Sequence, residues 1–259
     1  MNVLITGYRG LIGQRIYERL KLYHHIDGYE RRSNYSLKEH NVKYDIIIHC
    51  AANCIIRDVI ENPQLMIENI NIAYDVMELA RRTGCKKVVI FSSSRVEHPN
   101  ENPYIASKKF AENITKAYHE CYGINYLILR PETVWGMNDK ARVIPRWIRA
   151  AANNQPIIIY GDRNKELPPV YVDDFVDVAM DLINNFEKHK NKTYSISSES
   201  MKVGDIIDII KKIFRSKSKV KYLPAEKAQP QKHIKPNIEI KNKFEERLRE
   251  IAKYSLNFH

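Results

Sequence analysis

Asn2-Val3-Leu4-Ile5-Thr6-Gly7-Tyr8-Arg9-Gly10-Leu11-Ile12-Gly13 is the stretch that decides the fold of this 259-residue chain. Its first residues form a short, mostly apolar run that is typical of a buried strand. Three glycines follow with the spacing Gly-x-x-Gly-x-x-Gly, and an amphipathic pattern continues to about residue 22. Such a turn brings backbone N–H groups and the positive end of a helix dipole close to a pyrophosphate. The stretch therefore predicts a dinucleotide-binding turn whose contacts are Gly7, Tyr8, Arg9, Gly10, Leu11, Ile12 and Gly13.

Apolar runs alternate with helical patterns over the first half of the chain. The runs lie at residues 44–50, 87–91 and 124–130, and the helical patterns at about 63–82 and 103–122. Strands that are apolar on both faces belong to parallel sheets covered by helices. The alternation therefore predicts an α/β fold with a doubly wound parallel sheet, the Rossmann fold.

The pattern changes beyond Pro131. Prolines separate shorter elements there, and helical patterns follow at about 203–214 and 243–254. We expect residues 1–135 to form an NAD(P)-binding domain. Residues 136–259 are predicted to form a smaller C-terminal substrate-binding lobe that is interleaved with the last strands of the sheet.

Composition limits the classes of protein that the chain can belong to. Hydrophobic residues make up 44% of the sequence, which is enough for a buried core. The net charge is +11, and residues 188–259 contain 18 basic and 8 acidic side chains. A basic face also suits a pyrophosphate ligand, and no nucleic-acid recognition motif accompanies it, so we expect no nucleic-acid partner. The first residues show no basic stretch followed by an apolar run, and no apolar window is long enough to span a bilayer, so we expect a cytoplasmic protein. Since no Cys-x-x-Cys pair is present, we expect neither disulfides nor a metal site.

The end of the second strand carries both of the signals that select a dinucleotide. Glu30 suits the ribose hydroxyls of NAD, whereas the run Arg31-Arg32-Ser33 suits the 2′-phosphate of NADP. The residues therefore leave both cofactors open and favour NADP modestly.

A tyrosine and a lysine one helical turn apart form the candidate catalytic pair. Tyr104 and Lys108 share one face of the helix that Pro103 opens. An ammonium beside a phenol stabilises the phenolate, so the tyrosine can exchange a proton while a nicotinamide exchanges a hydride. Phe91-Ser92-Ser93-Ser94 ends the preceding strand and can supply a hydroxyl to the same substrate oxygen.

These motifs together resemble the extended short-chain dehydrogenases, the NAD(P)-dependent nucleotide-sugar epimerases, dehydratases and reductases. The resemblance extends to about residue 196 and includes the ordered matches His49-Cys50-Ala51-Ala52, Arg130-Pro131-Glu132-Thr133-Val134-Trp135-Gly136 and Val170-Tyr171-Val172-Asp173-Asp174. Residues 28–33 also resemble the cofactor-selecting turn of GDP-mannose 4,6-dehydratases, which use NADP.

The resemblance implies a role for each matching residue. Tyr104 is the acid/base, Lys108 anchors the nicotinamide ribose, and either Ser93 or Ser94 orients the substrate. Counting back from Val96 selects Ser93, and counting forward from Phe91 selects Ser94. The cofactor contacts would add Ala51, Ala52, Asn69 and Pro131, and those of the substrate would be Ser93, Arg95, Thr133, Arg142 and Arg149. A homodimer is also implied.

Departures from the family pattern narrow the chemistry. Dehydratases carry an acidic pair after the active hydroxyl, and here Arg95 follows the serines. The cysteine and histidine that GDP-fucose synthases use for double epimerisation align with Arg95 and Arg142. What remains is reaction at C4, either epimerisation or reduction of a 4-keto sugar.

The segment before Val170 departs from the family at the substrate pyrophosphate. Many relatives have an arginine there that binds the pyrophosphate, and this chain has Leu167-Pro168-Pro169. This replacement permits a reductase of a small carbonyl compound as an alternative, and a non-catalytic NADP-binding sensor or scaffold of the same fold is a second alternative.

Overall fold

Parallel strands and covering helices account for most of the chain. The computed structural model describes residues 1–30, 33, 36–139, 141–225 and 235–255, without the side chains of residues 254 and 255. The strands are β1 (Asn2–Thr6), β2 (His25–Tyr29), β3 (Ile46–His49), β4 (Lys87–Phe91), β5 (Asn125–Pro131), β6 (Val134–Trp135), β7 (Ile157–Tyr160), β8 (Glu166–Leu167), β9 (Val170–Tyr171), β10 (Lys192–Ser198), β11 (Met201–Lys202), β12 (Val220–Leu223) and β13 (Ile238–Ile240).

The helices lie between these strands. They are α1 (Leu11–Leu20), α2 (Ile56–Glu61), α3 (Gln64–Thr83), α4 (Pro103–Tyr122), α5 (Val143–Ala152), α6 (Val172–Asn184), α7 (Phe186–His189), α8 (Val203–Ile213) and α9 (Phe244–Ser255). A short 3₁₀ helix, η1, covers Ser94–Glu97.

Seven parallel strands form the central sheet in the order β13-β10-β5-β4-β3-β1-β2. One face packs against α1 and α6, and the other against α3 and α4. The doubly wound parallel sheet predicted from the sequence is therefore confirmed. In the described part of the chain no strand lies between Tyr29 and Ile46, so β2 forms one edge of the sheet.

Local sequence explains why the first helix starts where it does. Gly7 has φ +70, and a Cβ there would lie 2.7 Å from the backbone of Ala51. A Cβ on Gly13 would lie 2.2 Å from the carbonyl oxygen of Gly7, because helix and turn pack tightly against each other. Both positions therefore require glycine.

The start of α4 is fixed just as locally. The Asn102 side chain accepts a hydrogen bond from the N–H of Ile105 at 2.9 Å, and Pro103 occupies the first helical position. Both are preferred helix-start residues, since they satisfy or remove backbone donors that have no helical partner. This cap places Tyr104 in the first turn.

The last part of the chain builds a second core and also returns to the sheet. Trp135, Trp147 and Phe244 belong to a buried cluster formed by α5, α8, α9 and the short strands near them. Strands β10 and β13 nevertheless join the central sheet, and α6 covers one of its faces. The two regions are interleaved, and the boundary at residue 135 stays a prediction.

Candidate active site

The glycine-rich turn and the start of α1 line one end of a cavity of about 800 Å³. The ten-residue helix α1 has no side-chain cap at its N-terminus. Its first N–H groups and its dipole are therefore available to an anion. Gly7, Gly10, Leu11, Ile12 and Gly13 all belong to the cavity lining. This arrangement fits the pyrophosphate of a dinucleotide.

A second cavity, of about 580 Å³, opens beside the end of β2. Glu30 and Arg9 both line it and form an ion pair at 2.9 Å. The backbone N–H of Glu30 donates to the Ser33 hydroxyl at 2.9 Å, which fixes the turn after the strand. Tyr8 does not line either cavity, and its ring lies against Gly28. Arg31 and Arg32 lie outside the described residues.

Asn69 positions the loop that joins the two cavities. Its side-chain oxygen accepts from the N–H of Asn53 at 2.7 Å, and its amide donates to the Asn53 carbonyl at 3.1 Å and to the Ser107 hydroxyl at 3.3 Å. These bonds hold the segment after β3, where Ala51 and Ala52 line both cavities. Asn69 thus links α3 to the loop and to α4.

Tyr104, Lys108, Ser93 and Ser94 meet in the larger cavity at the carboxyl end of β4. The Lys108 ammonium donates to the carbonyl oxygen of Phe91 at 2.8 Å, which locks the side chain against the strand end. The Ser93 hydroxyl lies close enough to Tyr104 to favour the phenolate, and it accepts from the N–H of Arg95 at 3.2 Å. The Ser94 hydroxyl is buried and has no hydrogen-bond partner.

Burial and charge act against each other at the catalytic tyrosine. Burial raises the pKa of Tyr104 to about 12, while the positive charge of Arg142, the nearby Ser93 hydroxyl and the charge of Arg95 favour the phenolate. Burial lowers the pKa of Lys108 to about 8. Both groups are therefore tuned by their surroundings, as is usual where protons are transferred.

The other residues proposed for the substrate take different positions. Arg95, Thr133 and Arg142 line the larger cavity, as does Pro131 of the cofactor set. The Arg142 guanidinium is held by the carboxylate of Asp139 at 2.8 Å, and it also donates to the sulfur of Cys54 at 3.4 Å.

Arg149 is not part of the cavity lining. Its guanidinium donates to the carbonyl oxygens of Pro145 at 3.2 Å and Asp139 at 3.1 Å. The residue therefore supports the loop that carries Asp139, which in turn holds Arg142.

A buried ionic network beneath the serines was missed at the sequence level. Glu112 accepts from the Ser92 hydroxyl at 2.6 Å and from two nitrogens of Arg130 at 2.8 and 2.6 Å. Arg130 also donates to Glu97 at 2.7 Å, and Glu97 accepts from Ser195 at 2.8 Å. The position of Glu112, one turn after Lys108 on the same helix face, was the available signal.

Lys165 and Cys54 also line the larger cavity and were not predicted from sequence. Lys165 lies in the turn between β7 and β8, and burial together with the charge of Arg95 lowers its pKa to about 8. Neither residue belongs to a recognisable motif, so no local pattern indicates its position.

The fold and these side chains define a dinucleotide-binding α/β protein with a tyrosine, a lysine and a serine beside the cofactor cavity. Residues 3–197 match the family described as "NAD dependent epimerase/dehydratase family". The chain belongs to this family, which confirms the resemblance found in the sequence.

Three known proteins show what the chain is similar to. It is 28% identical to the UDP-glucuronate 4-epimerase of Thermodesulfobacterium geofontis over 70% of this chain and 61% of that protein. The UDP-N-acetylglucosamine 4-epimerase of Methanobrevibacter ruminantium, solved with UDP-N-acetylmuramic acid, has a TM-score of 0.83 at 26% identity and covers 100% and 99% of the two chains. The UDP-glucose 4-epimerase of Thermotoga maritima, solved with UDP-glucose, has a TM-score of 0.87 at 20% identity over 99% of each chain.

Among the described residues, no helix combines the length and the apolar character needed to cross a bilayer. The same residues contain no group of three or more histidine, cysteine, aspartate or glutamate side chains placed to hold a metal ion.

Proposed function

We propose that this chain is an NAD(P)-dependent enzyme that acts at C4 of a nucleotide-activated sugar, as a 4-epimerase or as a reductase of the 4-keto sugar. The observation that carries the proposal is the meeting of Tyr104, Ser93 and Lys108 in a cavity that begins at the uncapped end of α1. The names of the similar proteins support chemistry at C4, since all three are 4-epimerases of UDP-sugars.

The chain's own residues would move the proton and orient the sugar. The Tyr104 phenolate takes the proton of the C4 hydroxyl, and the Ser93 hydroxyl donates a hydrogen bond to the same oxygen. We choose Ser93 over Ser94 because the Ser93 hydroxyl already acts on the phenol of Tyr104, lowering its pKa. Lys108, fixed by the Phe91 carbonyl, lies on the same helix face as Tyr104 and would hold the nicotinamide ribose. The bound dinucleotide would supply reversible hydride transfer at C4.

The cofactor set in this proposal is the glycine-rich turn, the loop after β3 and the strand ends beside them. It comprises Gly7, Tyr8, Arg9, Gly10, Leu11, Ile12, Gly13, Arg31, Arg32, Ser33, Ala51, Ala52, Asn69, Tyr104, Lys108 and Pro131. The sugar side comprises Ser93, Arg95, Thr133 and Arg142, with Arg149 in a supporting position.

The choice between NAD and NADP depends on the end of β2. The preference for NADP that Arg31-Arg32-Ser33 predicts remains part of this proposal. Against it stands the Glu30 carboxylate, which lines the second cavity and would repel a 2′-phosphate unless Arg9 turns from Glu30 to the ligand. Dissociation constants for NAD and NADP, measured at one salt concentration, decide the point.

The first experiment is a thermal-shift assay with NAD and NADP, alone and combined with UDP, GDP, CDP and dTDP sugars. A ligand that binds only the folded state raises the melting temperature. We expect a cofactor shift that one class of nucleotide sugar increases, followed by interconversion of C4 epimers in an NMR assay with that sugar. Net consumption of the reduced cofactor with a 4-keto sugar identifies the reductase instead.

Other outcomes contradict the proposal. A cofactor shift without a response to any nucleotide sugar favours the small-carbonyl reductase or the sensor. No shift with either dinucleotide overturns the central statement.

We also propose a homodimer formed through α3 and α4. Three large hydrophobic side chains on these helices are exposed, Ile67, Tyr74 and Tyr122. Contact with a second copy would remove them from water. Light scattering after size-exclusion chromatography measures the mass, and a monomer at micromolar concentration contradicts the dimer.

A further inference from the structure

Two cations from separate elements belong to the lining of the larger cavity. Arg95 belongs to η1, directly after the serines, and Lys165 lies in the turn before β8. Both residues line the cavity wall. The charge of Arg95 acts on Lys165 and lowers its pKa. The fold thus holds two like charges close to each other beside the site of reaction.

The Arg95 guanidinium is only partly satisfied by the protein. Its Nη1 atom is buried and makes no hydrogen bond. Burial lowers the pKa of Arg95, and the charge of Glu132 acts in the opposite direction. A buried guanidinium nitrogen without a hydrogen bond is costly, and a ligand that supplies an acceptor removes this cost.

Glu132 and Arg142 line the same cavity as Arg95 and Lys165. The Arg142 guanidinium is held by the carboxylate of Asp139 at 2.8 Å, so it is less available to a ligand anion than the Arg95 guanidinium.

The position of Arg95 relative to Tyr104 indicates which part of the substrate this anion belongs to. The two side chains interact electrostatically, so Arg95 lies near the atom that receives the C4 proton. In a hexopyranose, C5 with its C6 substituent adjoins C4, whereas C1, which carries the diphosphate, is on the opposite side of the ring. A cation beside C4 therefore faces C6 more readily than it faces the diphosphate.

We propose that Arg95 and Lys165 bind a carboxylate at C6, so that the preferred substrate is a nucleotide-activated uronic acid. This inference rests on the proposed function and deepens it. A guanidinium suits a carboxylate because it presents parallel N–H donors, and the Lys165 ammonium adds a second charge-assisted hydrogen bond.

The test compares a uronate with its neutral hexose on the same nucleotide, chosen as the one that gives the largest thermal shift. For UDP the pair is UDP-glucuronate and UDP-glucose. We expect the uronate to raise the melting temperature more, and its kcat/KM to exceed that of the hexose by at least tenfold. Lys165→Met should lower this preference about tenfold through a higher KM for the uronate. Lys188→Met, at an exposed lysine far along the chain, should leave the preference unchanged.

Arg95→Lys provides a second variant that keeps the charge beside Glu132 while removing the planar pair of donors. It should also reduce the preference for the uronate. Two results overturn the inference. One is a wild-type enzyme that prefers the neutral sugar. The other is an equal loss for both sugars in Lys165→Met, which would assign the cation to the diphosphate that both share.

Failure of the proposed function would give different results from failure of the uronate inference alone. In that case neither sugar is turned over and neither raises the melting temperature in the presence of the dinucleotide. Turnover of the neutral hexose alone rejects the uronate and leaves the C4 chemistry intact.

Discussion

The phenol of Tyr104 is the single group on which the chemistry depends. Tyr104→Phe removes the proton donor and keeps the buried ring, which packs with Ile105 and Val59. We expect kcat to fall by about 10³, within the range for loss of a general acid or base, while dinucleotide binding persists. Steady-state kinetics and a thermal shift with the dinucleotide measure the two effects. A variant that retains more than about a tenth of the activity would place the proton transfer elsewhere.

Ser93 and Ser94 provide a matched pair of substitutions. Both are buried, both line the cavity, and the Ser93 hydroxyl is the one that lowers the pKa of Tyr104. Ser93→Ala should lower kcat/KM by about 100-fold, since it removes a donor to the reacting oxygen. Ser94→Ala should change it much less, because this hydroxyl makes no hydrogen bond. The opposite order of effects would select Ser94.

His49 gives the folded protein a specific sensitivity to acid. Burial lowers its pKa from the ordinary 6.5 to about 3, and its Nδ1 shares a hydrogen bond with the Thr6 hydroxyl at 2.8 Å. Between these pH values the unfolded state binds a proton that the folded state does not. The contribution of neutral His49 to the free energy of unfolding is therefore fully present above pH 6.5. It is lost as the pH falls toward 3, by about 1.4 kcal/mol per pH unit.

His49→Gln is the control for this loss of stability at low pH, because a glutamine side chain does not titrate. Urea unfolding at pH 6 and pH 4 should show a smaller loss in the variant than in the wild type. Equal losses would mean that His49 is protonated in the folded state.

At the scale of elements, Glu112 ties α4 to the ends of β4 and β5 through Ser92 and Arg130. Glu112→Gln leaves the charge of Arg130 partly uncompensated, and the site is largely buried because the Glu112 side chain is only 5% exposed. We expect a loss of about 3 kcal/mol in the free energy of unfolding. Glu245→Gln, whose side chain is 48% exposed in its pair with Arg249, serves as the control and should change stability much less.

Chemical denaturation measures both variants. Because Ser92 precedes Ser93, Glu112→Gln should also lower kcat while the melting temperature still rises with the dinucleotide. A stability loss no larger than that of the control would show that the network is not a structural support.

At the scale of the whole molecule, Arg247 joins the last helix to the sheet-covering helix α6. It donates to the Asp174 carboxylate at 2.5 and 3.3 Å, and its side chain is 22% exposed. Arg247→Met should lower the free energy of unfolding by about 2 kcal/mol, since Asp174 is left buried without this partner. Arg249→Met lies on the same helix in an exposed pair and should have little effect.

This pair of variants also tests how the two regions of the chain depend on each other. One unfolding transition in the wild type and in Arg247→Met indicates that α9, α6 and the sheet unfold together. A separate early transition in the variant would show that the last helix detaches by itself.

Much of the architecture was predictable because its signals are local. The Gly7–Gly13 spacing, the apolar strands and the Asn102-Pro103 start of α4 act within a few residues, so they can be recognised along the chain. The helices predicted at about 63–82, 103–122, 203–214 and 243–254 are present with ends within two residues. Between Tyr29 and Ile46 the described residues contain no strand.

The sequence by itself determined the class of fold, the glycine-rich turn and the tyrosine-lysine pair, since each depends on residues close together in the chain. The tertiary structure alone decided that Ser93 lies beside Tyr104, that Arg149 lies outside the cavity and that Lys165 lies near Arg95. These relations join residues that are far apart in sequence. Their geometry depends on the order of the strands in the sheet and on the orientation of each side chain. No local sequence pattern encodes the strand order or these orientations.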